Sequence, residues 1–327
     1  MKKIIAFAIA AVMLLSLCAC GGLSSNTPSG NGGNTTANPG TTANPGTTGG
    51  NGNGGNEQNT AAPPDETPSG QQPANTPEPV PGSEGLASKE EDDYCVITGA
   101  GDFTGTDLVI PSHINGKPVK KIDESAFRDN TAITSVTIPW TVTKIDEDAF
   151  AGCKNIASLT LSEGLEIVSE SAFYGCESLK TLTIPKSVTS IDGYAFRSCT
   201  GVEEITLLGC CDLRPNSFSD CSSLKTFSIK NPDGISYQIY SNALSGCNAL
   251  ENLDLAPGLT SIGSWNFADT PNLKTVFLPK SLTQMDACVF LRSGVETVYY
   301  EGTEEEWKAI TVKEATFTPA VEYNKSR

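Results

Sequence analysis

A single histidine, His113, serves the whole chain of 327 residues. Any site that needs two, such as a His-x-x-x-His zinc helix, is excluded. Basic residues are scarce as well. Lys and Arg number 22 against 38 Asp and Glu, a formal net charge of −16. That balance leaves no surplus for a nucleic-acid backbone, so no nucleic-acid partner is expected. Beyond the first twenty residues no apolar run is long enough to cross a bilayer. Neither G-x-x-x-x-G-K-[ST], nor a G-x-G-x-x-G after a strand, nor a calcium loop occurs. His113 lies in the turn-rich stretch Pro111-Ser112-His113-Ile114-Asn115-Gly116-Lys117 and reads as a loop residue rather than half of a nucleophile–base dyad. Carboxylates are plentiful, yet none is singled out as a pair facing across a sugar. The reading is a non-enzyme with no catalytic set, no metal site and no cofactor.

Apolar residues make up only 38% of the chain, while Gly numbers 31 and Pro 20, so the averages hide two unlike regions. Residues 1–19 read as an export signal: Lys2 and Lys3 precede an apolar run from Ile4 to Leu17. The run ends Leu17-Cys18-Ala19-Cys20-Gly21, which resembles a bacterial lipobox. On that reading Cys20 is lipidated and is the only membrane attachment, its acyl chains holding by ~0.8 kcal/mol per buried CH₂. Residues 20–93 read as a disordered stalk of Gly, Asn, Thr, Pro and Ser, with TTANPG written twice. Residues 21–93 hold nine acids and one base, Lys89. Flexible-coil scaling gives such a stalk a reach of roughly 45 Å.

The remainder, 94–327, is one unit repeated. An apolar residue is followed four and five places later by Ala (or a similar residue) and Phe: Ile122…Ala126-Phe127, Ile145…Ala149-Phe150, Val168…Ala172-Phe173, Ile191…Ala195-Phe196, Leu213…Ser217-Phe218, Ile239…Ala243-Leu244, Ile262…Asn266-Phe267 and Met285…Val289-Phe290. Between these comes a module clearest at Leu179-Lys180-Thr181-Leu182-Thr183-Ile184-Pro185, with the L-x-x-L-x-L spacing of leucine-rich repeats. Leu182 and Ile184 alternate with threonines, so a short strand should turn its apolar side inward. Pro185 cannot donate to a ladder and should end it. No such rung buries its apolar side alone, so rungs must stack. The expected fold is a leucine-rich-repeat solenoid of about eight rungs of 22–26 residues. It should carry a single parallel β-sheet of short strands and an irregular or short-helical opposite side. A lead-in segment spans 94–121. A C-terminal cap spans 298–327, with Glu304-Glu305-Glu306 opening a short helix and Trp307 packing on the last rung.

The phrases "VIPSHINGKPVKKIDESAF" and "LKTLTIPKSVTSIDGYAF" resemble the BspA-like leucine-rich-repeat family of bacterial surface proteins. The tail Val298-Tyr299-Tyr300-Glu301-Gly302-Thr303-Glu304-Glu305-Glu306-Trp307-Lys308-Ala309-Ile310 is similar to the segment that closes such arrays. The resemblance implies a non-catalytic cell-surface protein that binds other proteins or other cells.

Cys153, Cys176, Cys199, Cys221 and Cys247 each sit three places after the Phe position, which makes them a structural ladder rather than a converging metal site. The outward strand positions are Thr137, Thr160, Thr183, Thr206, Ser228, Asp254, Phe277 and Tyr299. Threonine there is ordinary on a solvated sheet face. Phe277 and Tyr299 form a candidate contact patch, with Asp254 beside them, unless the cap covers the pair. Trp140 on a rim turn is a second candidate, and the expanded rung carrying Asp233 and Tyr237 is a third, because insertions in solenoids map to loops on one face. The expected role is a lipid-anchored, surface-exposed adhesin-like protein whose partners are extracellular or surface proteins. A structural envelope protein or a surface hydrolase are the alternatives.

Overall fold

The computed structural model describes residues 77–313 and 319–326. The signal segment, Cys20 and the stalk as far as residue 76 lie outside the described residues.

Each rung follows from its pattern. Thr181–Ile184 is a strand with its threonines exposed and Leu182 and Ile184 buried. Pro185 ends it, the chain turns, and Ile191 returns to the core in the two-residue strand Ser190–Ile191. Ala195 and Phe196 then close the rung, both fully buried. The next rung repeats this directly above, with Thr181 opposite Glu204 and Ile184 opposite Leu207 in parallel register. The solenoid is thus as the repeat requires.

It carries two strand columns where the sequence suggests one. The second column holds short segments that each end in a buried aliphatic: Lys117–Ile122, Lys144–Ile145, Ile167–Val168, Ser190–Ile191, Asp212–Leu213, Tyr237–Ile239, Leu259–Ile262 and Gln284–Met285. Cys95–Gly99 precedes these and Thr311–Val312 follows, so ten parallel strands run without a break. The eight repeats thereby become about ten turns. A strand two residues long holds one inward side chain, which leaves no alternation to read. The column of Leu-Thr-Ile strands is the interrupted one, divided into sheets of three, four and three strands.

Two turns per rung take left-handed backbone. Ser125, Asp148, Ser171, Tyr194, Asn216, Asn242, Trp265 and Cys288, each two places before the Phe position, have φ between 55° and 64°. Asp129, Gly152, Gly175, Ser198, Asp220, Gly246, Asp269 and Arg292, two places after it, have φ between 55° and 75°. This conformation costs a bulky residue roughly 1 kcal/mol, and main-chain bonds to the next rung hold it. Phe127 N donates to Ala149 O and Phe150 N to Ala172 O, both at 2.8 Å, and Asp129 N donates to Ala151 O at 2.7 Å. These turns form the irregular side; Glu304–Ala309 is the one helix among the described residues.

Phe127, Phe150, Phe173, Phe196 and Phe218 stack with centroids 5.0–5.4 Å apart. Leu244 interrupts the column, and there Phe227 from the neighbouring strand meets Phe218 edge-on at 5.5 Å. At the N-terminal end the array starts earlier than composition indicates. Ala87–Glu90 pairs antiparallel with Cys95–Gly99, and Ser83 N donates to Val109 O at 2.8 Å. Ala-Ser-Lys-Glu reads as solvated stalk, but only its main chain is needed for pairing. At the other end, Thr303 and Glu306 form a reciprocal capping box, and Trp307 sits edge-on to Tyr300 at 5.2 Å. Beyond this helix Thr311–Val312 and Ala320–Glu322 extend both strand columns, so this segment prolongs the solenoid as well as closing it.

Candidate protein-interaction surface

Phe277 and Tyr299 face each other in register on the parallel strands Thr275–Leu278 and Thr297–Tyr300. Their rings stack at 4.7 Å and 28°. Both are half-buried. The terminal strand supplies part of that cover, since Tyr299 has Glu322 as its register partner on the other side. Phe277 also walls two depressions. One, of about 440 Å³, includes Phe227, Leu253, Asp254 and Thr275. The other, of about 190 Å³, includes Pro257, Pro279, Glu301 and Lys325. Asp254 pairs with Lys230 at 3.0 Å on the first rim. The structure therefore brings Phe277, Tyr299 and Asp254 into one neighbourhood.

The remaining candidates are elsewhere. Trp140 follows the strand Ser135–Ile138, six rungs from Thr275–Leu278, or roughly 29 Å of stacking. It is half-buried, its ring edge-on to His113 at 6.1 Å, and its Nε1 is buried with no hydrogen-bond partner. His113 Nδ1 lies 3.1 Å from Ser112 Oγ. Asp233 is exposed and pairs with Lys186 at 2.7 Å. Its loop is fixed by Asn231, whose Nδ2 donates to Ile235 O at 2.7 Å and to Pro257 O at 2.6 Å. Tyr237 is not a surface residue. It is 1% exposed and its hydroxyl donates to Ala256 O at 3.0 Å. Tyr237–Ile239 is a strand, so Tyr237 and Ile239 turn inward while Gln238 faces out.

The cysteine column has a defined bonding role. Each thiol donates to the carbonyl of the preceding rung's Phe: Cys153 to Phe127 at 3.0 Å, Cys176 to Phe150 at 3.5 Å, Cys199 to Phe173 at 3.3 Å, Cys221 to Phe196 and Cys247 to Phe218 at 3.4 Å. Thr270 and Ser293, at the same position, bond their own rung's Phe carbonyl instead. Burial pushes Cys153, Cys199 and Cys247 up to about 12, and Cys176 and Cys221 well above the ordinary thiol range. These are neutral thiols, poor as nucleophiles or ligands. Among the described residues no group of three or more His, Cys, Asp or Glu is placed to hold a metal ion, and no helix is long and apolar enough to cross a membrane.

Sequence reasoning passed over the two left-handed columns and the hairpin His113–Ile114 to Lys117–Ile122. Asn115-Gly116, both at positive φ, is the signal that marks that hairpin.

Stacked parallel rungs, a repeated Phe and Leu interior and short strand columns define a leucine-rich-repeat solenoid. The model for the BspA type leucine rich repeat region matches residues 120–232 and 210–310. These spans cover more than half of the chain, which belongs to the BspA-type leucine-rich-repeat family. Among solved structures, a leucine-rich-repeat protein of T. pallidum (TpLRR) is 27% identical, with a TM-score of 0.50 over 61% of this chain and 90% of that one. A leucine-rich-repeat protein of Bacteroides ovatus is 21% identical, with a TM-score of 0.45 over 66% of this chain and 70% of that one. A leucine rich cell surface protein of Faecalibacterium prausnitzii is 18% identical, with a TM-score of 0.33 over 74% of this chain and 100% of that one. No curated protein matches the chain.

Proposed function

We propose that this protein is a non-catalytic binding module, exported, held at the membrane through a lipid on Cys20 and displayed at the cell surface, where it attaches to extracellular or surface proteins in the manner of an adhesin. Membership of the BspA-type family supports the binding role. So does a frame in which neighbouring rungs spend their apolar residues on one another and leave only the outer face for a partner. The lipobox-like Leu17-Cys18-Ala19-Cys20 supports the anchor.

One observation carries the choice of surface. Along the outward strand positions threonine predominates, and at one end two stacked, half-exposed aromatics replace it. Aromatic rings flanked by concavities are the usual anchors of protein–protein contacts. Replacing both with the residue used elsewhere in the column, Phe277→Thr with Tyr299→Thr, should lower attachment to a bound partner or cell at least tenfold and shift Tm by no more than a few degrees. Cys20→Ala should release the protein from the membrane fraction. Undiminished attachment by the double variant refutes the chosen surface, and unchanged membrane retention by Cys20→Ala refutes the anchor.

A further inference from the structure

We propose that a notch beside the first rungs, remote in sequence from Phe277 and Tyr299, is a recognition site for a cationic side chain of a basic polypeptide segment, with arginine the best fit. The residues following the buried Ile122, Ile145, Val168 and Ile191 read Asp-Glu, Asp-Glu, Ser-Glu and Asp-Gly. The parallel register of those strands puts Asp123, Asp146, Ser169 and Asp192 in one column and Glu124, Glu147 and Glu170 in the next. Five of these acids, with Lys144 and Ser169, surround a depression of about 260 Å³.

The charge there is unbalanced. The residue before the buried aliphatic is Lys121 and then Lys144 in the first two rungs, but Ile167 and Ser190 in the next two. Both lysines reach Asp146, Lys144 at 2.7 Å, and Lys121 is shared with Asp123 at 2.9 Å. Burial alone would raise the Asp146 carboxyl, but these two ammonium groups hold it below the ordinary carboxylate range. Among the described residues no ion pair reaches Glu147, Glu170 or Asp192.

A second observation is independent of charge. Ser169 lies in the wall of this depression, is 7% exposed, and its hydroxyl is buried with no hydrogen-bond partner. Serine is shorter than the aspartates above and below it, and it opens a gap between Asp146 and Asp192. Two rungs of stacking set those positions roughly 9.6 Å apart. A planar guanidinium has donors along its edges and can meet the Glu147, Glu170 and Asp192 carboxylates, which no ion pair holds, and a turn of the Ser169 side chain about its Cα–Cβ bond would bring its buried hydroxyl out to a remaining donor. A lysine ammonium satisfies the charge without the fork. The carboxylates ring the notch without converging as a metal requires.

The test uses the full chain in about 0.15 M salt and fluorescence anisotropy with labelled nona-arginine and nona-lysine peptides. Glu147→Gln with Glu170→Gln should weaken nona-arginine binding more than tenfold. Ser169→Ala should weaken it about threefold while leaving Tm unchanged or higher. A control that removes the same charge elsewhere, Asp102→Asn with Glu204→Gln, should change it less than twofold. Nona-lysine should bind at least threefold more weakly than nona-arginine. Equal losses in the notch pair and the control would mean the peptide responds only to net charge, and would overturn the site. Equal affinity for the two peptides overturns the guanidinium assignment. Calcium chloride binding at micromolar concentration, abolished by the notch pair, overturns the peptide in favour of a metal.

Discussion

Ser217 and the cysteine ladder show what a single side chain contributes in a repeat. Ser217 occupies the position that is alanine in five of the other rungs. It is fully buried and its hydroxyl has no partner. A buried hydroxyl without a hydrogen bond costs about 1–3 kcal/mol. Ser217→Ala should therefore raise stability by about 1 kcal/mol, seen as a higher Tm in calorimetry; a lower Tm would show that the hydroxyl is satisfied. The column thiols lead to a second expectation. Neutral and buried, Cys153, Cys176, Cys199, Cys221 and Cys247 should resist iodoacetamide in the native protein at pH 8. Of the nine described cysteines only the partly exposed Cys288 should label readily; Cys210, partly exposed but pushed up to about 12 by burial, should lag behind it, with the rest following on denaturation. Mass spectrometry of tryptic peptides separates these outcomes, and modification of Cys199 in folded protein contradicts the ladder.

Between rungs, side chains bind one turn to the next, and Asp146 is the clearest instance. It accepts from Lys121 of the rung before and from Lys144 of its own, with its side chain only 13% exposed. Its carboxyl titrates below the ordinary range, so the stabilisation it gives is complete above the unfolded value of about 3.9. That stabilisation is lost as pH falls through the folded value. Asp146→Asn should cost about 1–2 kcal/mol at pH 7, and the deficit should be smaller at about pH 2, where protons begin to fill a carboxyl held below its ordinary range. Thermal unfolding at both pH values checks this; a deficit undiminished at low pH assigns the effect to packing rather than charge.

The same scale explains what could be read in advance. The Thr-Leu-Thr-Ile strands and the Ala-Phe step were legible because alternation and a 23-residue step are properties of the chain itself. The second strand column was not, because Ser190–Ile191 carries one apolar residue and its pairing is decided by the rung beneath. Tyr237 was misjudged for the same reason. Within a three-residue expansion it looks like loop, and only the ladder to Leu259–Ile262 shows it turned inward. Phe277 and Tyr299 were legible as a pair because both fall on the outward register. The depressions beside Phe277 depend on side chains from neighbouring rungs, and no single repeat displays them.

Across the molecule the interior is a sum of nearest-neighbour contacts, with aromatic stacking broken once, at Leu244. The two surfaces of interest fall on different parts of this stack, the carboxylate-lined notch on the first rungs and the aromatic ledge on the last. Substitutions in one should leave the other's binding unaltered, because sites that share no partners are additive. A binding assay on the Phe277→Thr, Tyr299→Thr variant with nona-arginine provides that control directly.

The left-handed position two places before each Phe holds Ser, Asp, Tyr, Asn, Trp and Cys in different rungs, all on the same backbone. Occupancy there is limited by torsional tolerance and hardly at all by volume, since Trp265 and Cys288 occupy equivalent slots in adjacent rungs. These slots act as sockets in a fixed rail. Recoding them would change the chemistry along one edge of the protein while its packed interior went untouched, and selection could retune that edge one rung at a time.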